Sequence, residues 1–402
     1  MWNFIKLLGL TSCTISSFEE TDTMFRIHLV IRRKTAHCPL CRKQTKIVRS
    51  ISRERKVKHG VIRRKECVLM VRQRRFTCQV CSKTFSEELP FVNKRQMATI
   101  QHKKEVVFNL SDRSFSSGTK QFHISYPTQR KWLKELIAHE VLNFTKEEQE
   151  NSPFTLGIDE VSFAGRDMVT TIGNITKRRL KGVLHSRRKD ELKHVLRSLP
   201  KKVKPLIHEV VIDMCGLYLK AVQETLPSAS VVVDHFHIIH DANKRIDEQR
   251  LLLQDIFKKR IPRYIFIKNK EDLKGQQIHY LAEITQKYPE LQIYYQTKER
   301  LRRMYTAQTK EEAEEQLQTI ISALKSSDDG SLVLWGRTLN HWKPYILNYF
   351  DNKSTNGYME GMHNKMKLIK RISFGFRNKE VFIHKVMLSV LIATVLLPYL
   401  NS

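Results

Sequence analysis

Three acidic residues far apart in the chain, Asp159, Asp213 and Glu360, stand where an α/β protein gathers ligand-binding side chains. Asp159 follows the apolar run Phe154–Ile158 and Asp213 follows Glu209–Ile212. Glu360 falls in the first turn of a helix expected to open at Ser354–Gly357. An acid just beyond a buried strand sits at the carboxyl edge of a sheet, where ligands bind in α/β folds. Carboxylates brought together repel and neutralise unless a cation compensates. Two Mg²⁺ or Mn²⁺ ions about 4 Å apart would be held by such a trio and would serve phosphodiester displacement. A lone strand-end Asp is more often a turn or cap residue; three of them in a strongly basic chain favour the metal reading. Asp234 is a rival to Asp213. It ends the strand Ser230–Val233 and opens Asp234-His235-Phe236-His237. Asp213 is the preferred ligand. His237 could hydrogen-bond a carboxylate or phosphate, or simply pack on the sheet.

Along the Glu360 helix, Asn364 lies four residues on and shares its face, and Lys367 extends that side. Lys365, Lys370 and Arg371 are placed to hold DNA phosphates. The turn Phe374-Gly375-Phe376-Arg377-Asn378 adds two aromatics and a cation, which core packing and base contact explain equally well.

A second constellation is Cys38-Pro-Leu-Cys41 with Cys78-Gln-Val-Cys81. Two thiolates in one tight turn share a tetrahedral ion and a second such turn completes its shell, so structural Zn²⁺ is expected. The gap between the pairs exceeds that of compact fingers, so intervening strands must bring them together. Cys13, Cys67 and Cys215 read as core. Paired thiols of this kind suit a reducing compartment, which implies the cytosol.

Around the knuckles basic residues crowd, from Arg53 to Arg75. Further on, Ser125 and Pro127 make a good helix start. Thr128, Gln129, Arg130 and Lys131 would lie at the leading end of that helix, where recognition helices meet DNA. Trp132, Leu133 and Leu136 would face a core.

The 402 residues hold 71 Lys+Arg against 41 Asp+Glu, a formal net charge of +30. Such a surface attracts phosphates and releases their counterions, so nucleic acid is the expected partner. A 41% hydrophobic content excludes wholesale disorder, and 14 Gly with 11 Pro exclude a collagen-like chain. The longest apolar run, Val386–Leu397, is too short to span a bilayer, so no membrane partner is expected. No signal peptide is evident.

Residues 1–95 read as short strands with a wet cationic face and 96–147 as helical. Residues 153–240 alternate strands (Phe154–Ile158, Val169–Thr176, Glu209–Ile212, Ser230–Val233) with helices (about Asp190–Leu199 and Leu217–Leu226), an α/β pattern. From Asn243 to about Ser327 the pattern is helical and charged, and a last helical stretch runs from Gly357 to Leu397.

These residues resemble the ISL-three family of bacterial insertion-sequence transposases nearly end to end. The likeness rests on the two knuckles with RRFTC, on GIDEVS, on VVIDMCGLYLKAVQETLPSASVVVDHFHIIHDANKRIDEQR and on NGYMEGMHNKMKLIKRISFGFRN. His363 stands where Asn is common in that family. The resemblance implies a ribonuclease-H-like core with an Asp-Asp-Glu triad at Asp159, Asp213 and Glu360, and a D-x-x-H signature at Asp234 and His237. It implies a domain order of a zinc-binding module at 1–95, a helix-turn-helix at 96–147, a catalytic domain at 153–243 and 340–402, and an all-helical insertion at 244–339. Double-stranded DNA, as terminal inverted repeats and target, would be the partner, with a homo-oligomer in the synaptic complex and a nucleoid-associated state when bound. Hydrolysis at an element end would free a 3′-hydroxyl that then attacks target DNA. The competing reading is a zinc-dependent DNA-binding regulator without catalysis, which needs the charge, knuckles and helix-turn-helix but not the three acids. A nuclease that cuts and never joins is a third.

Overall fold

The computed structural model describes residues 2–138 and 152–392. The chain forms two compact units, one of Met1–Val141 with Met366–Ser402 and one of Leu142–Lys365. The boundary falls inside the helix Gly357–Ile372. The stretch from Met366 onward therefore clusters with the N-terminal unit, whereas the family resemblance groups 340–402 with 153–243.

In the first unit, β1 (Cys13–Glu20), β2 (Met24–Ile31), β6 (Arg55–Ile62) and β7 (Lys65–Val71) form a sheet of order β1-β2-β7-β6. It is antiparallel except for the β2–β7 pair. Its inner face buries Cys13, Ile27, Leu29, Val57, Cys67 and Leu69, so Cys13 and Cys67 are core as expected. The remaining strands of this unit form two small sheets. One pairs β3 (Ala36–His37) with β4 (Gln44–Thr45). The other is formed by β5 (Val48–Ile51), β8 (Arg74–Thr77) and β9 (Thr84–Ser86).

Three helices follow, Ile100–Asn109, Phe115–Phe122 and Tyr126–Ile137. Thr99 and Ser114 cap the first two through their hydroxyls, each satisfying an otherwise orphaned backbone N–H. Ser125 is the N-cap of the third, with Pro127 in its first turn, but its hydroxyl pairs with Thr128 at 3.0 Å instead of a backbone amide. Trp132 and Leu133 are buried and Leu136 is half-buried. The last described helix, Lys379–Leu391, meets the third through Glu380, which pairs with Arg130 (3.2 Å) and Lys134 (2.7 Å).

The second unit is built on five strands, β10 (Phe154–Ala164), β11 (Asp167–Asn174), β12 (Arg179–Leu184), β13 (Ile207–Ile212) and β14 (Ser230–Val233), in the order β12-β11-β10-β13-β14. β10, β11 and β12 are an antiparallel meander, while β13 and β14 run parallel to β10. Helices Lys189–Ser198 and Gly216–Thr225 pack on it through Leu192, Leu196, Tyr218, Leu219 and Val222. β12 is absent from the sequence expectation. Its Arg-Leu-Lys-Gly-Val-Leu shows neither clean alternation nor an unbroken apolar run, and it buries Lys181.

Asp234 caps the long helix His235–Phe257, and a helical stack continues to Leu347. Its core includes Leu317, Ile321, Trp335 and Leu339. The ammonium of Lys298 is fully buried and donates to the carbonyls of Phe266 (2.8 Å) and Lys268 (2.6 Å), satisfying the end of the short helix Tyr264–Ile267. No described helix is long and apolar enough to cross a membrane.

The start of the Glu360 helix is seated on two glycines of the sheet. A Cβ at Gly157 would lie 2.7 Å from Asn356 Oδ1 and 2.8 Å from Ile175 Cδ1, and one at Gly173 would lie 2.5 Å from Met359 Sδ. Both Asn356 and Met359 are fully buried. Gly157→Ala must displace two packed side chains at once, and overpacking of this kind costs about 1–3 kcal/mol. Thermal unfolding should accordingly show a midpoint several degrees below that of the unchanged protein.

Candidate active site and cysteine cluster

Asp159 lies inside a strand, not just beyond one. β10 pairs with β13 only as far as Gly157, opposite Val211, and then runs on to Ala164 in a hairpin with β11, where Asp159 faces Thr171. The polar Asp159-Glu160 step reads as a strand end in the sequence, but hairpin pairing carries the strand past the point where its parallel neighbour stops. Asp213 is the first residue after β13, as expected. Both acids thus stand where the parallel pairing gives out.

The two carboxyls are poorly solvated. Burial pushes Asp159 up from 3.8 to about 7, and the charges of Asp213, Asp234 and Glu160 add to the rise against a 2.7 Å hydrogen bond from the Glu160 N–H. Burial also pushes Asp213 up to about 7, reinforced by Glu160 and opposed by Arg187. Asp213 Oδ1 is buried with no hydrogen-bond partner, and so is Glu160 Oε2. A buried Asp159 beside the half-buried Asp213 and Glu160, each of the latter with an orphaned oxygen, forms a donor set suited to a hard divalent cation, whose charge offsets the desolvation.

Asp234 is fully buried and committed elsewhere. Oδ1 accepts from the Phe236 N–H (3.1 Å) and Oδ2 from the Asn356 N–H (2.9 Å). Burial alone would raise its pKa, but the adjacent His235 ring and the hydrogen bonds from those two amides outweigh it and hold the carboxyl below its ordinary value. Asp234 therefore ties one helix start to the loop that leads into the Glu360 helix. His237 Nε2 lies 3.8 Å from Asp159 Oδ1, and burial lowers its pKa.

Glu360 is exposed in the first turn of Gly357–Ile372. One turn further on, His363 points inward. Its Nδ1 is 3.7 Å from Asp159 Oδ2 and its Nε2 is 2.9 Å from the Thr171 hydroxyl, which itself donates to the Asp159 carbonyl (3.0 Å). Because that single hydroxyl proton is spent on the carbonyl, Thr171 accepts from Nε2–H, and Nδ1 is the atom left to face Asp159. In the sequence, His363 was visible only as a departure from Asn. Its role depends on the cross-sheet neighbour Thr171, which no spacing within the helix reveals. Asn364 and Lys367 are exposed, and Lys365 is half-buried with its ammonium pKa lowered by burial. Lys370 and Arg371 lie in the last turn.

Among the described residues, Cys38, Cys41, Cys78 and Cys81 form the only group of three or more His, Cys, Asp or Glu whose ligand atoms all lie within 4.8 Å of one another. The three acids do not converge that tightly. The cysteine sulfurs approach to 3.6 Å (Cys38–Cys81), 3.5 Å (Cys41–Cys78) and 3.7 Å (Cys41–Cys81). A tetrahedron with metal–sulfur bonds of about 2.3 Å has edges of about 3.8 Å. The two knuckles repeat one geometry. Cys38 N–H donates to Lys43 O and Cys78 N–H to Lys83 O, both at 2.9 Å, and Arg42 and Ser82 each take a left-handed φ just after the second cysteine. Backbone amides of Cys81 and Val80 hold the Cys78 thiol down to about 6, favouring the thiolate.

Of the residues expected at the leading end of Tyr126–Ile137, Gln129 is wholly buried. Its amide nitrogen donates to Ile124 O (2.7 Å), Thr119 Oγ1 (2.8 Å) and Phe115 O (3.3 Å). The structure spends Gln129 inside the helical cluster and removes it from the surface. A polar side chain at a helix start reads as exposed unless the helix packed across it is known. Lys131 is exposed, Thr128 is half-buried, and Arg130 is half-buried against Glu380.

A family model of ISL-three-type DDE transposases, described as Transposase, matches residues 156–386. The chain is also 23% identical over 378 residues, 92% of each sequence, to the transposase for insertion sequence element IS1001 of Bordetella parapertussis. The chain belongs to the ISL-three family of insertion-sequence transposases, enzymes that act on DNA.

Asp159 and Asp213 bind protons more tightly folded than unfolded, so their contribution to stability is full below about pH 4 and is lost as pH rises through about 7. In buffer free of divalent ions, the unfolding midpoint should fall across that window. Asp213→Asn removes one of the charges, so its midpoint should exceed that of the unchanged chain at pH 8. Calorimetry at a series of pH values gives the comparison, and a lower midpoint for the variant at pH 8 would contradict it.

Proposed function

We propose that this transposase binds the terminal inverted repeats of its element and performs phosphodiester hydrolysis and strand transfer with Asp159, Asp213 and Glu360 as divalent-metal ligands. The observation that carries the reading is the desolvated pair Asp159 and Asp213, one with an orphaned buried oxygen, at the point where parallel strand pairing ends. An antiparallel meander of three strands beside two parallel ones supports a ribonuclease-H-like core, with the helices of 244–339 as an insertion.

Mg²⁺ or Mn²⁺, when bound, supplies Lewis-acid stabilisation of the attacking and leaving oxygens. Asp159 and Asp213 would hold it from the sheet and Glu360 from the helix. Asp234 is a positioning residue, because its oxygens are engaged by backbone amides. His363 and Thr171 fix the Asp159 peptide and carboxyl, and His237 flanks Oδ1. Asn364 and Lys367 border the acid on the exposed side of the helix, while Lys365, Lys370 and Arg371 hold DNA phosphates. Hydrolysis frees a 3′-hydroxyl at the element end, which then attacks target DNA; no Ser or Tyr nucleophile is required. Thr128, Arg130 and Lys131 remain the contacts of the helix-turn-helix, and Gln129, buried in the helical cluster, drops out of that role. Pairing of two ends calls for a homo-oligomer.

Cys38, Cys41, Cys78 and Cys81 are proposed to hold one structural Zn²⁺. Metal analysis should find one zinc per chain, lost in Cys78→Ser together with much of the N-terminal unit's protection from proteolysis. Zinc-site loss of this kind is a loss of folding energy.

The test of catalysis incubates the full chain with a terminal-repeat duplex and Mg²⁺. Cleaved and joined products are expected, and Asp159→Ala, Asp213→Ala and Glu360→Ala should each bring both to background while leaving duplex binding intact. Binding without nicks would support the zinc-dependent regulator instead, and nicks without joined product a nuclease.

A further inference from the structure

The Glu360 helix ends in an unusual way. The Gly375 N–H bonds back to Lys370 O (2.9 Å) and the Phe374 N–H to Arg371 O (3.0 Å). This is the two-bond stop in which the first residue past the cap takes a left-handed conformation, a place glycine normally fills. Here that residue is Phe374, at φ +57°, with Gly375 following at φ +87°. An aromatic side chain is disfavoured there. Burial does not compensate it, because Phe374 is 92% exposed. Phe376, two residues on, is the one that packs, 5.4 Å from the Phe382 ring. The two phenylalanines that looked equivalent in sequence thus divide into one that serves the fold and one that does not.

Phe374 borders a cleft of about 620 Å³ between its own turn and the start of the helix Phe115–Phe122. Tyr126, exposed and stacked edge-on against Phe115 at 5.1 Å, supplies a second aromatic wall. Lys120 and Arg377 also line it, both exposed and neither with a carboxylate partner among the described residues. Beneath, the buried Lys385 ammonium donates to Arg113 O and Ser373 Oγ, each at 2.5 Å, which ties the turn to the helical cluster and holds the cleft's shape. Two aromatic faces flanked by free cations on a rigid support match an unpaired nucleotide, with the base between the rings and the phosphate on the cations.

We propose that Phe374 is a wedge that enters the bound DNA, and that the cleft beside it receives the nucleotide so displaced. The proposal rests on the DNA-binding reading above and adds to it a site for an unstacked base. Unstacking costs energy that stacking on Phe374 and Tyr126 recovers, while Lys120 and Arg377 hold the backbone in its altered path.

The test uses the full chain and duplexes of the element's own terminal repeat, with 2-aminopurine placed in turn at each of the outermost positions. Binding should raise fluorescence several-fold at one or two adjacent positions. Phe374→Trp should keep the rise, and Phe374→Gly and Phe374→Ala should abolish it. An abasic site at the responding position should restore the affinity that the two variants lose. Phe374→Gly doubles as the folding control: because glycine suits the left-handed position, its unfolding midpoint should rise above that of the unchanged chain. Lys120→Ala and Arg377→Ala should each lower the slope of log affinity against log salt by about 1. If duplex is bound with no fluorescence change, or with the same change in Phe374→Gly, the inference is overturned and the DNA-binding reading stands. If Phe374→Gly lowers the midpoint, the side chain serves the fold and the inference is overturned. If no duplex is retained at all, both readings fall.

Discussion

Asp159 and Asp213 are kept out of water beside one another, and each holds its proton to about pH 7 in consequence. Such a pair is a charge-repulsion cost that folding must meet, and much of the second unit is arranged to meet it. The meander holds Asp159 in register against Thr171, while the parallel strand β13 delivers Asp213 to the same edge. His363 faces the one carboxyl and Arg187 lowers the repulsion on the other. Asp234, as buried as Asp159, has given its oxygens to backbone amides and contributes order in place of an open ligand position. Asp234 therefore differs in state from Asp159 and Asp213 because its hydrogen-bond donors differ.

The same economy governs how the Glu360 helix meets the sheet. Two glycines make room for Asn356 and Met359, and the Asp234 carboxylate holds the Asn356 amide. The depth and rotation of the helix are thereby set by contacts within one turn on either side of Glu360. Glu360 itself remains exposed, with no side-chain partner among the described residues.

In the N-terminal unit the problem is different. Small sheets with a cationic face bury little apolar surface per residue, and a cluster of four sulfurs ties the two knuckle hairpins together across the chain. Basic side chains left on the outside strain the unit by self-repulsion and are relieved by polyanions. Buried lysines elsewhere follow the opposite rule: Lys298 is spent on two carbonyls at the end of a short helix, where a cation is favourable, and Lys385 on the Arg113 carbonyl and the Ser373 hydroxyl.

Much was legible in the residues themselves. Spacing alone paired the cysteines, because two thiolates three residues apart have few other uses in a reducing compartment. Apolar runs located four of the five strands of the large sheet and both helices beside them, since burial on both faces leaves an unmistakable pattern. Positions of Asp213 and Glu360 at element ends followed from the same runs. The strand Arg179–Leu184 escaped because a buried lysine breaks its pattern, and the true extent of β10 escaped because hairpin pairing with β11 tolerates the polar Asp159-Glu160 step. Residue types and spacing thus determined which groups could do chemistry, because chemistry depends on the side chain present. Only the tertiary structure decided which of them are free to do it. It sank Gln129 into a helical junction, turned His363 toward Asp159, occupied Asp234 and left Phe374 bare. Each of those outcomes depends on neighbours that lie far away along the chain.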